Sequence, residues 1–180
     1  MTPTIAAVSD LLSVPDTRAR STAPLEERET LIAFLDYYRE TILVKLDGLD
    51  REQLTRHLVP TRTTLLSVLK HLVDVERWWF VIVFSGEPLD PNVPAGEDED
   101  AEFLITDDDT AEGLVAAYRG AYARSNDIVR AAGSLDETGP GPKRADRSLR
   151  WILVHMIEET ARHAGHMDIL RELIDGRTGD

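Results

Sequence analysis

Glu159 and His163 stand four residues apart, and a carboxylate and an imidazole at that spacing can converge on one cation. If the surrounding segment is helical, the two share a face and lie about 6 Å apart along the axis. At about 100° per residue, with Glu159 as zero, His155 falls at roughly −40°, His166 at roughly −20° and His163 at roughly +40°. Ile152 and Leu170 fall at roughly +20°, above and below. Three histidines and one carboxylate thus share an arc of about 80° flanked by apolar residues, and a helix turns such a face inward. Ionisable groups placed there cost stability unless something pairs with them. A divalent metal would pair with them.

A third ligand is offered by an earlier segment. His71 shares a helical face with Thr64, Ser67, Val75 and Trp78. Two histidines and one carboxylate suit Zn²⁺ with an open coordination position, and can also hold Ni²⁺ or Fe²⁺. Each part alone has a plainer reading. A histidine on an apolar helix can be a satisfied core residue, and acid–base pairs at this spacing are common helix stabilisers. The joint pattern His71, Glu159 and His163 is what points to a metal. His166 reads as a group beside the metal that faces substrate, and His155 as a structural hydrogen-bonder. His57, in a polar stretch before Pro60, reads as exposed. Trp78 and Trp79 suit a core, although Trp78, near the His71 face, could line a cofactor pocket.

These residues need helices to hold them, and four helical segments are legible. The first runs from about Pro24 to Leu46, with Leu31, Phe34, Leu35, Tyr38, Ile42 and Leu46 recurring at threes and fours. The second runs from about Thr63 to Phe84 and is apolar over much of its surface, which suits a central helix. The third runs from about Asp109 to Ala132. The fourth runs from about Ser148 to Ile174, with Ser148 as N-cap and Gly176 as stop. Gly139-Pro140-Gly141-Pro142 separates the last two. No segment alternates with period two, and no internal repeat is visible. The pattern predicts an all-α fold, a four-helix bundle over residues 24–177. An N-terminal arm, residues 1–23, precedes it, and Ile5 to Val14 could form a short helix.

The 180 residues make about one domain. There is no cysteine, so thiolate ligands and disulfides are excluded and any thiol must come from outside. Neither a membrane-length apolar run nor a basic, then apolar leader is seen, so a cytoplasmic protein is expected. The net charge of −13 is concentrated: residues 86–110 hold ten acids and no Lys or Arg, leaving −3 for the rest. That segment reads as a long, solvated acidic connection between helices two and three. No basic face is present, so no nucleic-acid partner is expected. A small-molecule substrate is expected, and an exposed apolar face would allow a homodimer.

The runs Leu69-Lys70-His71-Leu72-Val73-Asp74-Val75-Glu76-Arg77-Trp78-Trp79 and Leu149 to His166, with the ending Asp168 to Gly176, resemble the DinB-like superfamily. More narrowly, they resemble its actinobacterial branch related to mycothiol-dependent maleylpyruvate isomerase. The resemblance covers about residues 25–177. It implies a four-helix bundle whose metal is held by one histidine of helix two and a pair on the last helix. Many members have HisxxxHis there. Here the first of the pair is Glu159, which matches the His-Glu-His set of the isomerase type. Relatives use a low-molecular-weight thiol, mycothiol or bacillithiol, as cosubstrate. The resemblance therefore implies a metal- and thiol-dependent transferase or isomerase acting on a small electrophile, with His166 or Arg162 orienting the substrate. Two other functions suit the same residues: a hydrolase using metal-bound water, and a non-enzymatic binding or stress protein with a structural metal.

Overall fold

A computed structural model describes residues 11–20, 22–88, 103–141, 144 and 146–179. The helices are α1 (Glu27–Val44), α2 (Arg51–Leu54), α3 (Leu65–Glu76), α4 (Ala111–Ala131) and α5 (Leu149–Asp175). Among the described residues there is no strand, only an isolated bridge between Thr138 and Ser148. The protein is an all-α bundle. The chain from Leu11 to Arg20 is not helical, and Ile5 to Asp10 lie outside the described residues.

Local sequence explains where the helices start and stop. The Thr64 side chain caps α3 by accepting from Ser67 N–H, and the Ser67 hydroxyl accepts from Thr64 N–H, so two otherwise orphaned donors are satisfied. Ser148 caps α5, and Gly176 ends it at φ 80°, a left-handed conformation that glycine adopts at least cost. Asp50 and Gln53 form a reciprocal cap on α2, a single turn that the periodicity does not reveal.

The second helix departs from expectation. Its α-helical part ends at Glu76, and residues Arg77–Phe84 continue as a π-helix. Ser85 N–H reaches back five residues to Phe80 C=O at 3.0 Å. Four aromatic and three β-branched residues fill this stretch, so α propensity there is weak and packing sets the geometry. Gly139 and Gly141 lie against the backbone of the same stretch. A Cβ on either would fall within 2.7 Å of Ile82, Val83 or Phe84 backbone atoms.

Two apolar clusters form the core. One joins Leu12, Val14, Leu43, Leu46, Leu69, Leu72, Tyr118 and Met167. The other joins Leu35, Trp79, Phe80, Val129, Leu153 and Met156. Between α1, α3 and α4 lies a buried ion pair. Arg39 donates to both Glu76 oxygens at 2.6 and 2.7 Å, and both side chains are fully enclosed. Ser125 Oγ donates to the same carboxylate, and Asn126 Oδ1 and Asp36 accept from Arg39.

Residues 89–102, most of the acidic connection, lie outside the described residues. The reading of the connection as purely solvated does not hold for its final part. Phe103 and Ile105 pack against the core, and Asp109 accepts from Lys70 Nζ at 2.8 Å. Apolar side chains at those two positions have a place to be buried, and the lysine fixes the segment over α3.

Candidate metal centre

The α3 and α5 helices bring His71, Glu159 and His163 together. One donor atom from each lies within 4.8 Å of the other two. His163 Nε2 stands 3.1 Å from Glu159 Oε1, and His71 Nε2 stands 3.4 Å from the same oxygen. The two imidazole centroids are 4.9 Å apart. His163 is buried, and His71 and Glu159 are half-buried. The i,i+4 spacing on α5 accounts for the first pair, and the packing of α3 on α5 supplies the second.

The donor set fits a metal. Ligands at about 2.0–2.2 Å from a tetrahedral Zn²⁺ stand about 3.4 Å from one another, and the two imidazole–carboxylate separations, 3.1 and 3.4 Å, are of that size. Two unprotonated imidazole nitrogens facing a carboxylate oxygen would otherwise repel, and a cation between them removes that conflict. Without one, hydrogen bonds from His163 and then His71, aided by the charge of Arg162, hold the Glu159 carboxyl far below the usual carboxylate range against the opposing effect of burial. The other ring nitrogen of His163, Nδ1, is buried with no hydrogen-bond partner, so no described protein group fixes the tautomer of that ring.

The remaining residues singled out by sequence surround this centre at different distances. Arg162 is exposed and donates to Glu159 Oε2 and Glu158 Oε1, which holds the carboxylate from its outer side. His166 is exposed and stands edge-on to His163, with ring centroids 5.4 Å apart. Burial pushes the His166 imidazole below its ordinary value, and the positive charge of a protonated His163 and of Arg162 pushes it the same way. His155 lies between Trp79 and Trp151, with centroids 4.8 and 5.0 Å away, and its Nδ1 is 3.4 Å from Glu158. Trp78 is half-buried and packs against the core around Trp79 and Phe80. His57 is exposed, with its Nδ1 3.4 Å from Thr61 C=O.

Phe103 is the neighbour that sequence reading missed. Its ring stacks on His71 with centroids 4.8 Å apart and planes inclined by 19°. It also lines a cleft of about 570 Å³ together with Arg51, Thr55, His57, Arg62, Thr64 and Asp107. An aromatic residue at the end of an acidic run, just before Leu104 and Ile105, was the available signal.

An all-α bundle carrying a His-Glu-His donor set between its second long helix and its last defines a DinB-like protein with a metal-type centre. The chain belongs to the mycothiol-S-transferase family, whose model matches residues 30–176. That range contains all three donors. No match was found among curated proteins or among solved structures.

Proposed function

We propose that the protein is a metal-dependent S-transferase that uses mycothiol or a similar small thiol to capture an electrophilic substrate. Convergence of His71, Glu159 and His163 inside the region matched by the family carries this reading. Zn²⁺ suits the two imidazoles and one carboxylate best, with Ni²⁺ or Fe²⁺ as substitutes. Such a cation supplies one thing, a lowered pKa for a thiol at the open coordination position.

The chain's own residues do the rest. His71, Glu159 and His163 would hold the cation, the carboxylate offsetting one of its charges. Arg162 acts through Glu159, as a positioning residue, by holding the second carboxylate oxygen. His166, exposed beside His163, is placed to meet the substrate at the rim. In the transfer, the thiolate sulfur forms a bond to the electrophilic carbon, and the leaving group departs with the electrons of the broken bond. The absence of cysteine in the chain means that no internal thiol competes with the cosubstrate. A cytoplasmic setting, where small thiols stay reduced, suits this chemistry. Among the described residues no helix is long and apolar enough to cross a membrane.

Elemental analysis of untreated protein beside His71→Ala and Glu159→Ala tests the centre. About one metal per chain is expected, lost in both variants; full retention in either overturns the ligand set. Conjugation of mycothiol to a bimane should accelerate only with metal bound. Equal rates with and without metal overturn the transferase reading.

A further inference from the structure

We infer that the cleft beside Phe103 is a subsite for a carboxylate group of a ligand held at the metal centre. The inference rests on the thiol-transfer reading for what occupies the centre, but its own observations are separate. The cleft lies between α2, the start of α3 and the segment Phe103–Asp107. Phe103 belongs to both places, since it lines the cleft and stacks on His71. Thr64, on the cleft wall, precedes His71 by seven residues, so the cleft begins about 10 Å along the helix from the centre. One small molecule can therefore span the two.

The described lining of the cleft is opposite in charge to the protein as a whole. The chain carries −13, yet among the described residues Arg51 and Arg62 line this cleft against one acid, Asp107, with the His57 ring beside them. The Arg51 guanidinium donates to Asp109 C=O and Thr106 C=O, neutral acceptors that fix it without cancelling its charge. The Arg62 guanidinium forms no ion pair or hydrogen bond with any described residue. Thr55 and Thr106 also line the walls, but their hydroxyls donate to Arg51 C=O and to Asp109, which leaves the guanidinium of Arg62 as the donor that faces a ligand. A guanidinium presents a planar fork that matches a carboxylate with two parallel hydrogen bonds. A guanidinium unpaired among the described residues, with Asp107 at hand, suits a singly charged group better than a doubly charged phosphate. The carboxylate could belong to the thiol or to the electrophile.

Calorimetry on metal-loaded protein tests the thiol source, using mercaptoalkanoates from mercaptopropanoate to mercaptooctanoate beside the matching mercaptoalkanols. The acids should bind about tenfold tighter than the alcohols once the chain reaches the cleft. Arg62→Gln should erase that difference and leave the alcohols unchanged. The electrophile source is tested by alkylating mercaptoethanol with bromobutanoate and with bromobutanamide, each rate divided by its rate in free solution. A sulfur–carbon bond forms there as bromide leaves. An Arg62-dependent preference for the acid in either arm supports the subsite and identifies the source. No such preference in both overturns it. If thiols fail to bind at all, the transferase reading falls, and glutarate titrated into metal-free protein still decides the cleft. Binding weakened by Arg62→Gln upholds the carboxylate site, and glutarate binding that is absent or indifferent to the variant removes it.

Discussion

The ring of Phe103 lies almost parallel to His71, 4.8 Å from it, and comes from the far end of the connection between α3 and α4. The stack restricts how the imidazole can turn about its Cβ–Cγ bond. Hydrogen-bonded partners that orient a ligating ring change metal affinity by about 10–100-fold when removed, and a stacked ring limits the same rotation. Phe103→Ala should therefore weaken metal binding by about tenfold, read by competition with a chelating dye. Unchanged affinity would mean that α3 and the contacts with Glu159 and His163 orient His71 without the stack.

Asp109 holds that segment in place, and its contribution depends on pH. Burial raises its pKa, but hydrogen bonds from Lys70 and from the Thr106 N–H and hydroxyl outweigh burial and leave the carboxyl below its ordinary value of 3.8. A carboxyl with a depressed folded pKa stabilises the fold fully above its unfolded pKa and loses that contribution as pH falls through the folded value. Protection of the Thr106 amide against exchange, taken relative to its intrinsic rate at each pH, should be high at neutral pH and fall below about 3.8. Asp109→Asn should show low protection at neutral pH already. Undiminished protection in that variant would place the anchoring elsewhere.

Removing one partner of a fully buried ion pair leaves the other charge without compensation and costs about 3–5 kcal/mol. Glu76→Ala removes the buried partner of Arg39 and leaves Asp36, itself partly exposed, as its remaining acid, so the loss should fall at the lower end of that range. Urea denaturation of metal-free protein should register a loss of that size. The double variant Arg39→Met, Glu76→Leu should recover most of it. A loss below about 1 kcal/mol in Glu76→Ala would mean that water reaches the arginine.

Gly141→Ala tests the seat of the loop against the π stretch Arg77–Phe84. The new methyl would stand 2.5 Å from Ile82 C=O and Val83 C=O, so the loop has to lift. Overpacking of this kind costs about 1–3 kcal/mol, measurable as a lower melting temperature. A melting temperature equal to wild type would show that the loop moves freely.

Helix positions were readable because apolar residues recur at threes and fours and because the capping residues are chemically distinctive. Ser148 and Gly176 bound α5 as their types suggest. Glu159 and His163 were legible as a pair, since four residues fix their geometry on any helix. That His71 meets them depends on how α3 packs on α5, for which the sequence offers only a shared face. Phe103, Arg51 and Arg62 were not readable as neighbours. They sit on turns and connections, where no periodicity relates a residue's position to its direction. The π stretch was hidden for a different reason: its composition is also that of a buried α-helix.

That stretch divides one continuous helix into two halves with different phase. Residues up to Glu76 advance by about 3.6 per turn, and residues after it by more, so the two halves keep separate angular clocks. His71 is timed by the first, and Trp79, Phe80 and Val83 by the second. A one-residue deletion between Arg77 and Phe84 that restored ordinary winding would lose the turn of one residue but regain part of it from the tighter winding, so the aromatic end of the bundle would turn by well under the roughly 100° of a plain deletion and leave His71 where it is. The donor set and the aromatic end can thus diverge independently along a helix that looks, by length alone, like a single rigid part.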